Sequence, residues 1–114
     1  MIKGMQTITS DSSVRKRVFQ AVRETASQQG ALKAIVFGSF ARNTATRHSD
    51  VDVVFIENTD RRFIERLDRY MRGVYDRTGL ATDVLVYTPA EISAMSNRPF
   101  MQQILREGIV AYER

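Results

Sequence analysis

The chain has 114 residues and a formal net charge of +4 at pH 7, from 17 lysines and arginines against 13 aspartates and glutamates. This length suits one domain, and the absence of cysteine excludes disulfide bonds, thiol nucleophiles and thiolate metal sites. No apolar run approaches the ~20 residues that span a bilayer, and the polar N-terminus lacks a signal-peptide core, so we expect a cytoplasmic protein with no membrane partner. We predict a flexible N-terminus over residues 1–12 and a single domain over residues 13–114.

The first half of the chain is predicted to form one helix followed by two strands. Ser12 or Ser13 can cap a helix whose apolar positions recur every three or four residues and which stops at Gly30. Ala31–Phe37 is a β-branched apolar run that predicts a buried strand, and Asp50–Ile56 predicts a second one. The polar residues between these strands predict a loop with room for one helical turn.

The second half of the chain continues the alternation. Asp60 is the expected cap of a long helix that stops at Gly79, and Ala81–Tyr87 predicts a third strand. The last predicted elements are a helix after the capping box at Thr88, a helix from Pro99 to Gly108, and a strand at Ile109–Tyr112. The apolar stripe of the long helix is interpreted as core: Phe63, Leu67, Tyr70, Met71 and Val74. The fold class is therefore α/β, with helices around one small sheet.

Most of the cations are arginines, and their spacing does not form one basic tract. Arginine pairs with phosphates and carboxylates through its planar fork, so the charge permits RNA binding without establishing it. We interpret the arginines of the long helix as a solvated face. They are Arg61, Arg62, Arg66, Arg69 and Arg72.

Three aspartates occupy unusual positions in or beside apolar strands. Asp50 and Asp52 are two residues apart in a strand otherwise made of valine, phenylalanine and isoleucine, so their side chains point to the same face. Asp83 lies in the next predicted strand and converges on that face if the two strands are neighbours. Because clustered carboxylates repel each other, we predict that a divalent cation offsets their charge, and oxygen donors favour Mg²⁺ or Mn²⁺ over Zn²⁺.

A candidate phosphate-binding turn precedes the aspartates. Gly38 and Ser39 follow the first strand, where glycine lets the backbone approach a ligand and serine adds a hydroxyl donor. Arg42 lies about one helical turn further on. A phosphate cradle next to a metal site suggests metal-assisted phosphoryl or nucleotidyl transfer.

The segment GSFARNTATRHSDVD resembles the signature of the DNA polymerase β-like nucleotidyltransferases, and in particular of the minimal nucleotidyltransferases (MNT). The resemblance implies a small mixed sheet flanked by helices and transfer of AMP from ATP. It also implies that Asp50 and Asp52 hold two Mg²⁺ ions, that Asp83 is the third carboxylate near the acceptor hydroxyl, and that Gly38, Ser39 and Arg42 contact phosphates. Asn43 departs from the family pattern, which commonly has glycine at this place.

The same resemblance implies a biological setting. MNT proteins are typically paired with a HEPN-domain RNase toxin, which the MNT antitoxin neutralises, in some pairs by adding AMP to a toxin tyrosine. Two alternatives stay open: neutralisation by occlusion without catalysis, and transfer to a small molecule or an RNA end. The sequence does not decide the base of the nucleotide, the oligomeric state, or any role for Arg47 and His48. Phe100–Tyr112 is a further candidate docking surface.

Overall fold

The computed structural model describes residues 12–114. The expected flexible terminus therefore lies outside the described residues, except for Ser12, which is the first residue of helix α1 (Ser12–Gln29). Within the described part of the chain, none of the helices has the length and apolar character needed to cross a membrane.

Four strands form one mixed sheet, which confirms the predicted fold class. The strands are β1 (Lys33–Phe37), β2 (Val51–Ile56), β3 (Thr82–Tyr87) and β4 (Ile109–Glu113), and their order across the sheet is β3-β2-β1-β4. β1 pairs antiparallel with both β2 and β4, whereas β2 and β3 run parallel. Because a parallel connection needs a crossover, the chain between β2 and β3 includes helix α3 (Leu67–Thr78).

Helices α1 and α3 cover one face of the sheet. The alternation of side chains along β2 sends Val51, Val53 and Phe55 to this face, where all three are fully buried. Tyr70 of α3 stacks on Phe55 with ring centroids 4.3 Å apart, and its hydroxyl donates to Glu57 at the end of β2. This core fixes β2 against the helices and leaves Asp52 and Val54 on the opposite face.

The opposite face of the sheet is covered only in part. Helix α5 (Pro99–Glu107) places Ile104 against Ile35 and Val54, and these three residues form a second, smaller buried cluster. The other short helices are α2 (Gly38–Arg42), directly after β1, and α4 (Pro89–Ala94), directly after β3. The end of the sheet that carries Asp52 is thus left open to solvent.

Several element boundaries differ from the predictions. β1 begins at Lys33 rather than Ala31, and β2 begins at Val51, so that Asp50 precedes the strand. The predicted cap at Asp60 is wrong, because a 3-10 turn at Phe63–Arg66 precedes α3. There the carboxylate of Glu65 accepts a hydrogen bond from the Arg62 backbone N–H at 3.2 Å, which satisfies a free donor at the start of the turn. The capping box of Thr88 and Glu91 is confirmed.

The predicted core stripe of the long helix is correct for three of its five members. Tyr70 and Val74 are fully buried and Leu67 packs against the core, whereas Met71 is 40% exposed. Tyr75, which lies outside the predicted stripe, is 53% exposed. Each exposed residue follows a buried one, so it lies about 100° further around the helix and faces past the sheet edge at β3. Phe63 is also exposed, because the 3-10 turn changes the helical phase before α3 begins.

Arg66 is buried, so its assignment to a solvated arginine face is wrong. Its guanidinium donates to the backbone carbonyls of Arg61 at 2.8 Å and Val86 at 3.1 Å. It also makes a two-pronged ion pair with Glu91, at 2.6 and 3.2 Å. Arg69 is likewise held, by Glu57 at 2.6 Å. Arg66 thus ties the 3-10 turn to β3 and α4, and Arg69 ties α3 to the residue after β2, through groups that the sequence pattern does not pair.

We expect Glu91→Gln to lower the free energy of unfolding by about 1 kcal/mol at pH 7, since the glutamate side chain is 41% exposed and water screens the pair. Hydrogen bonding to Arg66 holds the pKa of Glu91 below its ordinary value near 4.5. The stabilisation is therefore complete above pH 4.5 and is lost as the pH falls through the lowered pKa. Urea denaturation at pH 7 and at pH 3 measures this, and an equal difference at both pH values would contradict it.

Candidate active site

The turn between β1 and α2 brings the backbone against a carboxylate. Gly38 has φ of +71°, a conformation that side chains with a Cβ rarely adopt. A Cβ built on Gly38 would overlap Oδ2 of Asp52 on the neighbouring strand. Glycine is therefore required here for two reasons, namely the left-handed backbone and the space that the Asp52 carboxylate occupies.

The pairing of β2 with β3 places two of the predicted carboxylates side by side. Asp52 and Asp83 are register partners on parallel strands, which lie ~4.8 Å apart in a sheet. Both point to the open face, because each alternates with residues that face the main core. Asp50 lies two residues before Asp52, exposed at the start of β2.

The surroundings of Asp52 oppose its ionisation. Partial burial raises the pKa of Asp52 above its ordinary value, and the negative charges of Asp83 and then Asp50 raise it further. A hydrogen bond with Asp83 acts in the same direction, while the positive charge of Arg42 acts against it. The site is thus a focus of negative charge that a bound cation would relieve.

The carboxylates of the site fit a metal ion that takes some of its ligands from the protein and the rest from a substrate. Among the described residues, no group of three or more acidic or histidine side chains is already arranged around a metal position. Mg²⁺, however, is usually held by one or two carboxylates together with substrate phosphates. The pair of Asp52 and Asp83, with the space above Gly38, meets that requirement.

Helix α2 carries Arg42 beside this space. Phe40 is buried and anchors the helix to the core, and Arg15 donates to its carbonyl at 3.0 Å. Arg42 is exposed at the end of the helix and is close enough to influence the pKa of Asp52. Asn43 adopts the left-handed conformation with φ of 61°, and its N–H donates to the Ser39 carbonyl. Asparagine therefore makes the turn for which the family pattern commonly has glycine.

Arg47 and His48 do not lie beside the carboxylates of Asp52 and Asp83. Arg47 lines a separate cavity of about 120 Å³ beside α1, together with Val14 and Leu80. His48 lies in an exposed turn, where its backbone N–H donates to the Thr46 hydroxyl at 3.2 Å.

Helix α5 contributes residues that sequence reasoning did not assign to the site. A cavity of about 200 Å³ joins Gly38 and Arg42 to Phe100 and Gln103. Phe100 is 52% exposed and meets Phe37 edge to face at 6.1 Å. The sequence marked this helix only as a candidate docking surface, since nothing local shows that α5 lies beside the turn after β1.

Comparison with known proteins decides the family. The model of the nucleotidyltransferase domain family matches residues 15–110. The chain belongs to this family. A relative from Methanocaldococcus jannaschii, named "putative protein adenylyltransferase", is 33% identical over an alignment of 88 residues, and the alignment covers 73% of this chain. This nucleotidyltransferase domain spans 59% of the length of that relative.

Solved structures agree with the fold of the nucleotidyltransferase domain. A structure described as a "putative minimal nucleotidyltransferase" is 25% identical, with a TM-score of 0.65 over 90% of this chain and 97% of the other. A "putative nucleotidyltransferase" from Sulfolobus solfataricus has the same TM-score at 17% identity and covers 97% of this chain and 94% of its own. The second likeness concerns the fold alone.

Proposed function

We propose that this nucleotidyltransferase domain transfers AMP from ATP to a hydroxyl group of a protein. The observation that carries the proposal is the juxtaposition of Asp52 and Asp83 on neighbouring strands, with the backbone of Gly38 against Asp52. A protein acceptor is supported by the relative named as a protein adenylyltransferase.

Different residues of the chain would bind the metal ions and the phosphates. Asp50, Asp52 and Asp83 would hold Mg²⁺ or Mn²⁺, of which the resemblance implies two ions; when bound, they would offset the charge of the phosphates and polarise the α-phosphate. The backbone of Gly38, the hydroxyl of Ser39 and the guanidinium of Arg42 would bind the β- and γ-phosphates.

The transfer itself is a displacement at the α-phosphorus. The acceptor oxygen forms a bond to this phosphorus, the bond from the phosphorus to the oxygen bridging to the β-phosphate breaks, and pyrophosphate leaves. The hydroxyl proton passes to the carboxylate of Asp83, which is exposed and lies at the sheet edge. The products are an AMP ester of the acceptor and pyrophosphate.

For the biological acceptor, we propose a tyrosine of a HEPN-domain RNase toxin that this domain neutralises in the cytoplasm. The support is the resemblance of the segment from Gly38 to Asp52 to the MNT antitoxins. If the proposal is correct, ATP and Mg²⁺ increase the intact mass of a co-purified HEPN protein by whole AMP units. The Asp50→Asn/Asp52→Asn variant leaves that mass unchanged, and an equal gain with the variant would contradict the proposed roles of both aspartates.

Occlusion of the partner is the second candidate function. It is favoured by the exposed apolar residues of α5 and β4, which include Phe100, Leu105 and Val110, each about half exposed. Occlusion predicts that the Asp50→Asn/Asp52→Asn variant still binds and silences the partner. A variant that binds but no longer silences the partner would exclude occlusion as the mechanism.

A further inference from the structure

A groove runs between the outer face of α3 and the edge strand β3. Its volume is about 400 Å³, and it ends at the carboxylate-bearing edge of the sheet. The residues that line it include Asp68, Met71, Arg72, Tyr75, Thr82 and Asp83. We call it the α3–β3 groove. It is distinct from the cavity beside Gly38 and Arg42, and Asp83 belongs both to the groove and to the candidate active site.

The order of the strands assigns the two sides of the site to different parts of the reaction. Across the sheet, the turn at Gly38 follows β1, Asp52 lies on β2 and Asp83 lies on the outer strand β3. In phosphoryl transfer the attacking and leaving oxygens lie roughly in line on opposite sides of the phosphorus. If pyrophosphate leaves on the Gly38 side, the acceptor must approach from the side of Asp83, where the α3–β3 groove opens.

The charge of the groove distinguishes between kinds of acceptor. Arg72 is already paired with Asp68, with the Arg72 Nε 3.0 Å from an Asp68 oxygen. Asp83 adds a second carboxylate, so the lining carries two negative charges and one positive charge. An RNA backbone needs unpaired cations along its path, and this groove offers none among its lining residues. The overall positive charge of the chain therefore does not extend to the lining of this groove.

The apolar part of the groove suits a polypeptide. Met71 and Tyr75 are 40% and 53% exposed although each is adjacent to a buried core residue of α3. Methionine and tyrosine are enriched at protein interfaces, where they adapt to a partner side chain. β3 is also an edge strand within the described sheet. Its Val86 carbonyl already accepts a hydrogen bond from Arg66, so an extended segment can pair with the part of β3 that precedes Val86.

We infer that the α3–β3 groove binds an extended polypeptide segment of the acceptor protein and presents its hydroxyl side chain to Asp83. This inference rests on the proposed function and adds the surface that selects the acceptor. The segment pairs with the outer edge of β3, and its successive side chains alternate between the two faces of the sheet. An apolar side chain on the α3 side contacts Met71 and Tyr75, and the neighbouring hydroxyl side chain faces Asp83 on the open side. Its hydroxyl oxygen forms the bond to the α-phosphorus, its proton passes to Asp83, and pyrophosphate leaves on the Gly38 side.

Methyl NMR tests binding without relying on catalysis. The domain is labelled at its methionine methyl groups and loaded with Mg²⁺ and an ATP analogue that cannot be cleaved between the α- and β-phosphates. It is then titrated with a pool of short peptides centred on tyrosine, serine or threonine. We expect the Met71 methyl resonance to shift while that of the buried Met101 does not. A short adenylate oligoribonucleotide and a disaccharide are titrated in the same way. A shift of Met71 with either of them, but not with peptides, would overturn the inference.

Variants then separate the groove from the nucleotide site. Met71→Asp/Tyr75→Ala is expected to raise the KM for peptide acceptors by about tenfold or more, because both apolar contacts are lost, with the Kd for Mg-ATP unchanged. Ile64→Asp, at the 70% exposed apolar residue of the 3-10 turn before α3, is the matched control and is expected to leave this KM unchanged, because Ile64 does not line the groove. Equal transfer by the groove variant and the wild type would overturn the inference. If Mg-ATP itself fails to bind the wild-type domain, the proposed function is wrong.

Discussion

Asp52→Asn is expected to lower the rate of AMP transfer by about 10²–10³-fold, the range seen when one preorganised electrostatic group of an active site is removed. Asp52 lies between the Gly38 backbone and Asp83, so it is the carboxylate best placed to share a cation with substrate phosphates. Asparagine keeps the size of the side chain but removes the charge that attracts the metal. The rate is measured by mass spectrometry of the acceptor under single-turnover conditions.

The same substitution is expected to stabilise the metal-free domain. Burial and repulsion from Asp83 and Asp50 raise the pKa of Asp52, which means that its charged form is less favourable in the folded state than in the unfolded chain. Removing the charge should increase the free energy of unfolding by about 1 kcal/mol and the Tm by about 4 °C. Thermal denaturation in EDTA measures this effect.

Asp60→Asn is the matched control, because Asp60 is exposed in the loop after β2 and belongs to no carboxylate pair in the described site. It should change neither the rate nor the Tm. A variant at Asp52 that loses both activity and stability would show that Asp52 acts as a structural residue. In addition, Mg²⁺ with ATP should raise the Tm of the wild type and have little effect on Asp52→Asn.

Gly38→Ala is expected to weaken Mg-ATP binding by at least about tenfold and transfer by about 10²-fold, since a displaced catalytic group loses its productive geometry. The new Cβ would overlap the Asp52 carboxylate, so either this side chain rotates away or the turn at the start of α2 shifts. Isothermal titration calorimetry gives the Kd for Mg-ATP, and acceptor mass gives the rate.

Gly79→Ala separates this steric effect from backbone strain. Gly79 has φ of +72°, almost the same as Gly38, but a Cβ there meets nothing within 4 Å. Both alanine variants should lose about 1 kcal/mol of stability from the left-handed conformation. Only Gly38→Ala should lose nucleotide binding. Equal nucleotide affinity in the two variants would contradict the proposed role of the turn after β1.

The sequence could propose the residues of the candidate site because their signals are local. Gly38 and Ser39 directly follow an apolar strand, Asp50 directly precedes another and Asp52 interrupts it, so a few consecutive residues are enough to mark each of them. The capping box at Thr88 was predictable for the same reason, as it depends on residues three positions apart. The start of the long helix was not predictable from Asp60, because an acidic residue before an apolar run is only one of several ways to start a helix.

The α3–β3 groove and the burial of Arg66 could not be predicted, because each depends on contacts between distant segments. The periodicity of α3 identified an apolar stripe, but it did not indicate that the sheet ends at β3 and leaves Met71 and Tyr75 uncovered. Arg66 resembles its solvated neighbours in the sequence, and only the position of Glu91, 25 residues later, makes its burial stable.

The sequence by itself determined which chemical groups this domain carries. They are the glycine turn at Gly38, the two aspartates Asp50 and Asp52, and a third aspartate, Asp83, in a later strand. Only the tertiary structure decided how they meet. The parallel pairing of β2 with β3 places Asp83 in register with Asp52, and the order of the strands leaves Asp83 at an open edge beside the α3–β3 groove. The physical reason is that residue type and period act over a few residues, whereas strand pairing and helix burial depend on surfaces that exist only after the chain has folded.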